Sequence, residues 1–157
     1  MNSFFVFLVG VFFLIISTES ISSEKNATEI ISCSLPGKVS RKVSLYTNDK
    51  KEIIYIFKRE GKVELRVLFN EGNKLKRFSD SEIGVVYYGF NLGGYSYVID
   101  VITGAEEEEY SVVFDVKKNN KILQSNDCLP GAFVSNDIPN EYITDVTYID
   151  GDGFNFP

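Results

Sequence analysis

Alternating apolar and polar positions dominate residues 29–128 and predict a series of short β-strands. Side chains of a strand point to opposite faces in turn, so a period of two marks a strand with one buried face. The clearest case is VELRVLF at residues 63–69, where every odd-numbered residue is apolar. Seven further stretches have strand character: residues 30–35, 41–46, 52–58, 83–90, 95–101, 110–116 and 121–125.

The spacing of these stretches favours an all-β fold. Seven or eight strands follow each other at short intervals, joined by turns rich in Gly and Asn, and no segment keeps a helical period over more than two turns. This pattern is typical of a small antiparallel β-sandwich or barrel. Residues 52–58 are apolar on both faces, which predicts a central strand. We interpret the polar residues 74–81 as a connection between strands.

Both flanks of this region have a different character. Residues 21–28 are polar and are predicted to form a flexible entry to a β-domain of residues 29–128. After Cys128 the alternation stops, and residues 129–157 are expected to form a C-terminal extension or tail. Within it, Pro139 to Val146 is predicted as one short helix, and the last ten residues as either a tail or an edge strand.

The first twenty residues are predicted to be a signal peptide. Residues 4–16 are an unbroken apolar run of thirteen, shorter than the roughly 20 residues that cross a bilayer, and polar and small residues follow. Thr18-x-Ser20 is the best match to a cleavage site, although no Lys or Arg precedes the apolar run, and a retained anchor is the alternative. We therefore expect a periplasmic or secreted protein that leaves the membrane after cleavage.

Export changes the interpretation of the two cysteines, Cys33 and Cys128, which bracket the predicted strands. Cysteines of exported proteins usually pair, and two cysteines allow one intramolecular bridge. The alternative is a reactive or metal-binding thiol pair, but the sequence has neither CxxC spacing nor histidine to favour it. The sequence therefore predicts a structural disulfide.

Charge is divided unevenly along the chain. Residues 21–77 carry 13 Lys and Arg against 7 Asp and Glu, whereas residues 78–157 carry 3 against 14. An acidic second half argues against a nucleic-acid partner and suits a basic protein partner. The alternatives are that the two halves pair their charges within the fold, or that the acids only keep the protein soluble.

Little in the composition points to catalysis or to a cofactor. The chain has no histidine, which removes the commonest general base and most zinc sites, and it has no phosphate-binding glycine motif. Asp150-x-Asp152-Gly153 resembles part of a calcium loop but lacks the closing glutamate. We expect no metal, no cofactor and no enzymatic activity. A carboxylate hydrolase with two acids in a cleft remains an alternative.

Two groups of residues are candidates for binding a partner. Tyrosines gather around the turn at Gly93-Gly94, and tyrosine offers a large contact area with a polar tip, but it is also an ordinary strand residue. An acidic run follows, which is either a solvated loop or a contact for a basic partner. The candidate partner-binding residues are Tyr88, Tyr95, Tyr97, Glu106, Glu107, Glu108 and Glu109.

Several short motifs carry a family resemblance over residues 31–128. They are Cys33-x-x-x-Gly37-Lys38, Tyr55-x-Phe57, Gly61-Lys62-x-Glu64-Leu65, Gly93-Gly94-Tyr95-x-Tyr97-Val98 and Cys128. In these the chain resembles small exported proteins of Gram-negative bacteria, most of unassigned function, and it is loosely similar to periplasmic lysozyme inhibitors. The Ser-Gly-x-x-Tyr inhibitory loop of those inhibitors is not present, so no inhibitory residue is carried over.

Two functions from different classes follow as expectations. The first is a non-enzymatic exported binding protein, an inhibitor or immunity protein that acts on a cell-wall-degrading enzyme. The second is a carrier of a small molecule or lipid in a β-barrel. The carrier requires an apolar cavity inside the fold, whereas the inhibitor requires only an exposed contact surface.

Overall fold

The computed structural model describes residues 26–104 and 109–147, and it is an all-β sandwich held by one disulfide. These residues form eleven strands, which are β1 (Thr28–Leu35), β2 (Arg41–Thr47), β3 (Ile53–Arg59), β4 (Lys62–Phe69), β5 (Leu75–Asp80), β6 (Val85–Leu92), β7 (Tyr95–Thr103), β8 (Tyr110–Lys118), β9 (Lys121–Asp127), β10 (Phe133–Val134) and β11 (Ile143–Asp145). The predicted fold class is confirmed, but the described part of the chain has more strands than the seven or eight predicted.

The strands form two sheets that pack face to face. Sheet I has the order β10-β1-β2-β3-β4, and sheet II the order β11-β5-β6-β7-β8-β9. Neighbouring strands are antiparallel except for β11, which pairs with β5 in parallel. The central position predicted for residues 52–58 is confirmed, because β3 lies between β2 and β4 and its first four residues are buried.

The core fills the space between the sheets with alternate residues of the inner strands. In β7, Tyr97, Ile99 and Val101 point inward, as the period of two predicts. Aromatic rings contact each other across the two sheets, with Tyr55 edge-on to Phe90 at 4.8 Å and Phe57 stacked on Phe114 at 6.5 Å between ring centroids. These contacts join β3 to strands of sheet II and make the sandwich a single packed unit.

Three hairpins turn through two residues that both have positive φ. These pairs are Glu60-Gly61, Gly93-Gly94 and Asn119-Asn120, with φ between 50° and 78°. Positive φ at both positions defines the type I′ turn, whose twist matches that of the flanking strands. Glycine and asparagine tolerate this conformation best, so the turn residues in the sequence determine where β3–β4, β6–β7 and β8–β9 reverse.

The segment after Cys128 is part of the sandwich, which the alternation did not predict. Phe133 and Val134 form β10 and pair with β1, and Ile143–Asp145 form β11 and pair with β5. The predicted helix from Pro139 to Val146 is therefore wrong. An eight-residue helical pattern carries little stability of its own, and here the backbone pairs with the edge of a sheet. The last ten residues lie outside the described part.

The polar residues 74–81 contain a strand and not merely a connection. Leu75–Asp80 form β5, which lies between β11 and β6. Arg77 carries the link to β11, because its Nε and Nη2 donate to the carboxylate of Asp145 at 2.7 and 3.0 Å and its Nη1 donates to Asn140 at 2.7 Å. β5 lies next to the edge strand β11, and Asp145 of β11 pairs with the charge of Arg77. An inward position of β5 can therefore hold a charged residue, and the strand shows no apolar alternation.

Candidate functional site

The disulfide predicted between Cys33 and Cys128 is confirmed. Cys33 lies in β1 and is fully buried, and its Cα is 5.2 Å from that of Cys128, which follows β9. Backbone bonds reinforce the join, since Cys128 N–H donates to Val112 and Leu129 N–H donates to Ser34, each at 2.8 Å. The bridge therefore ties sheet I to the end of sheet II.

The three candidate tyrosines do not form one exposed patch. Tyr88 is only 7% exposed and belongs to the core, where burial raises the pKa of its hydroxyl. Tyr88 is therefore a poor candidate for contact with a partner, because β6 turns this side of the strand toward sheet I. Tyr97 is half-buried on the inner face of β7. Tyr95 is the most peripheral, and the Lys118 ammonium lies 4.8 Å from its ring centroid.

Glu109, the acidic candidate that the structure describes, lies far from the tyrosine turn. Glu109 is exposed just before β8, and its carbonyl accepts a hydrogen bond from Gly104 N–H at the far end of β7. The nine residues of β7 separate this end from Tyr95 by about 26 Å at the usual rise of a strand. Glu109 and Tyr95 therefore do not belong to a single binding surface. Glu106, Glu107 and Glu108 lie outside the described residues.

An open cleft of about 370 Å³ lies between the two sheets. Sheet I contributes β3 and β4 to its walls, and sheet II contributes β7, β8 and β9. The described residues that line it are Tyr55, Phe57, Glu64, Leu65, Tyr97, Phe114, Val116 and Gln124. Because β4 and β9 are the outermost strands on this side of each sheet, the sandwich is open here.

A few polar groups interrupt this largely aromatic lining. Tyr55 is 1% exposed, and its hydroxyl has no hydrogen-bond partner, which is rare for a buried polar group. Gln124 donates from Nε2 to Asn126 Oδ1 at 2.7 Å, an orientation that fixes its amide in the cleft. Glu64 is the acid among the described lining residues, with its Oε1 at 4.0 Å from Arg59 Nη1.

A second polar cluster lies on the outer face of sheet II. Asp100 of β7 and Asp115 of β8 are diagonal neighbours, since Asp115 pairs with Val98 and Asp100 with Val113. One carboxylate oxygen of each is buried without a hydrogen bond. Burial raises the pKa of Asp100 to about 7, with repulsion from Asp115 adding to the effect and the Lys117 charge opposing it.

Two further findings concern the described residues only. Within residues 26–104 and 109–147, no group of three or more His, Cys, Asp or Glu side chains is arranged to hold a metal ion. No helix in this part of the chain is both long and apolar enough to cross a membrane. The partial calcium motif at Asp150 and Asp152 lies outside it.

Of the described residues that line the cleft, only Tyr97 was a binding candidate from the sequence. Tyr55, Phe57, Glu64 and Leu65 occurred only in the motifs of the family resemblance. The sequence pattern around Phe57, Leu65 and Phe114 is that of ordinary core residues. Local sequence does not distinguish an inward-facing residue that packs in the core from one that lines a cleft. One weak signal was available, because Gln124 and Asn126 are polar at the inward positions of β9.

Comparison with known proteins adds no assignment for this chain. No family model matches it, and neither a curated protein nor a solved structure matches it. The cleft and the outer surface are therefore the features of this protein that indicate a function.

Proposed function

We propose that this is an exported, non-enzymatic binding protein that holds a small, ring-containing apolar molecule in the cleft between the sheets. The observation that carries the proposal is the cleft itself, about 370 Å³ in volume and walled by four aromatic rings. Ligand sites of proteins are typically clefts of roughly 300–1,000 Å³, lined by apolar and aromatic side chains with a few polar groups. This cleft has the size and the lining of that class.

The arrangement of the walls supports a flat ligand. Phe57 and Phe114 stack with 24° between their planes, and Tyr97 stands beside Tyr55 at 6.2 Å between ring centroids. Aromatic faces gain energy from offset stacking with another ring beyond the area that they bury. A ring compound therefore gains more binding free energy from contact with these walls than a flexible chain of equal volume does.

A fluorescence titration with N-phenyl-1-naphthylamine, an apolar probe, tests the proposal. We expect the wild-type protein to bind the probe and Val116→Trp to weaken binding by about tenfold or more, because an indole at this position fills the cleft. Ile122→Trp is the matched control, since Ile122 is 60% exposed on β9 and does not line the cleft.

Circular dichroism and thermal unfolding establish that both variants fold. If a folded Val116→Trp variant binds the probe as tightly as the wild type, the cleft is not the binding site. Failure of the wild type to bind the probe or any other small aromatic compound would contradict the proposal as a whole.

A protein partner is the second candidate, and exposed apolar residues on β9 favour it. Ile122 and Leu123 are 60% and 59% exposed on a strand that ends sheet II, so both its side chains and its backbone edge can meet a partner. We propose a cell-wall-degrading enzyme as this partner, in line with the resemblance to lysozyme inhibitors.

Inhibition assays with purified lysozymes and secreted wall hydrolases test this candidate. We expect a double variant, Ile122→Lys with Leu123→Lys, to lose inhibition, while Val63→Lys on β4 retains it, because Val63 is also exposed but lies on the other sheet. Absence of inhibition and of binding at both low and physiological salt counts against this function.

A further inference from the structure

The unpaired hydroxyl of Tyr55 is the chemically distinctive feature of the cleft. Its oxygen is buried, and Tyr55 is the least exposed of the described residues that line the cleft, so this residue forms the innermost part of the lining. A buried polar group without a partner destabilises the fold, because it has lost its hydrogen bonds to water and gained none. Phenylalanine at this position would avoid that cost, and a tyrosine here gains from its oxygen only when something binds to it.

The hydroxyl of Tyr55 acts as a neutral donor. Burial, and to a smaller extent the neighbouring Tyr97, raises the pKa of Tyr55 well above its usual range, so the proton stays on the oxygen. A phenolic oxygen shares its electrons with the ring and donates more strongly than it accepts. The matching group on a ligand is therefore an uncharged oxygen acceptor, such as the carbonyl of a ketone or an amide.

The charges of the described lining residues disfavour acidic ligands. None of the described lining residues is Lys or Arg, so an anion buried beside Tyr55 would have no cation to pair with. Glu64 adds a carboxylate to the lining, and its cationic neighbour Arg59, at 4.0 Å, does not line the cleft. A fatty acid that enters with its carboxylate first is thus disfavoured, and a neutral ligand is favoured.

We propose that the cleft selects neutral ring compounds that carry a carbonyl-type oxygen, which accepts a hydrogen bond from the Tyr55 hydroxyl at the inner end. Phe57, Phe114 and Tyr97 pack against the ring. This inference depends on the proposed binding function and assigns its ligand class.

Two naphthalenes of nearly equal shape isolate the hydrogen bond. 2-Acetylnaphthalene has a carbonyl oxygen where 2-isopropenylnaphthalene has a methylene group. Competition against N-phenyl-1-naphthylamine should show the ketone binding about tenfold more tightly to the wild type, the range expected of one buried hydrogen bond. 2-Naphthoate, which is anionic at pH 7, should bind most weakly of the three.

Tyr55→Phe should abolish the preference for the ketone while it keeps the affinity for the hydrocarbon, because it removes the donor and leaves the ring. The variant should unfold at the same temperature as the wild type or higher, since the hydroxyl is unpaired without ligand. Tyr95→Phe is the matched control, because Tyr95 does not line the cleft. Tyr97→Phe measures any contribution of the second hydroxyl.

Three results overturn the inference in distinguishable ways. If the wild type binds both naphthalenes equally, the cleft binds rings but Tyr55 does not select them. If Tyr55→Phe keeps the tenfold preference, another group is the donor. If the wild type binds neither the probe nor the naphthalenes, the proposed function fails and the ligand class fails with it.

Discussion

Replacing both cysteines by alanine should lower the free energy of unfolding by about 4–5 kcal/mol. The bridge closes a loop with a sequence separation of 95, and in the chain-entropy model such a loop restricts the unfolded chain by that amount. Domains of this size have a total stability of about 5–15 kcal/mol, so the loss is a large share of it. Urea unfolding of the Cys33→Ala, Cys128→Ala double variant measures the effect.

Alanine is the appropriate replacement because Cys33 is fully buried, and a serine hydroxyl there would add the cost of an unpaired polar group. The reduced wild-type protein is the control and should lose a similar amount. Mass spectrometry of the oxidised protein under non-reducing conditions should find no alkylated thiol. A double variant within 1 kcal/mol of the wild type would mean that the unfolded chain is already compact.

The second large effect concerns pH and Asp100. Its pKa is about 7 in the fold against an ordinary value of 3.8, so the folded protein holds this proton more tightly than the unfolded chain. Below pH 3.8 the carboxyl is mostly protonated in both the folded and the unfolded state, so it does not lower the free energy of unfolding. Between pH 4 and 7 the unfolded chain ionises first, and stability falls as pH rises. Above pH 7 the decrease in the free energy of unfolding reaches its maximum of about 4 kcal/mol.

Asp100→Asn should remove this dependence. An amide has no proton to release in this range and keeps the size of the side chain. We expect the variant to match the wild type near pH 4 and to be more stable than it at pH 8. Urea unfolding at intervals between pH 4 and 8 measures both curves.

Two matched variants locate the origin of the effect. Asp115→Asn should leave Asp100 ionisable but shift the fall in stability to lower pH, because it removes the neighbouring negative charge. Asp127→Asn, on the exposed end of β9, should leave the dependence as in the wild type. Curves for Asp100→Asn and the wild type that run parallel over the whole range would refute this account.

Alternation in the sequence predicted the strands whose two faces meet different surroundings. The segments at 63–69 and 110–116 became β4 and β8, because a strand that covers a core needs an apolar residue at every second position. Turn chemistry placed the reversals at Gly93-Gly94 and Asn119-Asn120 for an equally local reason, the cost of positive φ.

The same pattern failed where pairing at a sheet edge decides the structure. β10 and β11 have two and three residues, too few for a period to appear, and they exist because β1 and β5 offer free backbone groups. β5 escaped detection because Arg77 occupies a position that alternation assigns to an apolar residue. Its charge is satisfied by Asp145, which is 68 residues away in the chain.

The chain sequence alone predicted the all-β class, the approximate positions of most strands and the bridge between Cys33 and Cys128, because each depends on local periodicity or on the number of cysteines. The tertiary structure decided which inward-facing residues pack and which line a cleft. Tyr55, Tyr97 and Phe114 belong to three strands, and their meeting depends on how two sheets face each other. The tertiary structure also buries Tyr88 and separates Tyr95 from Glu109, because the direction and length of the strands determine distances that cannot be deduced from positions in the sequence.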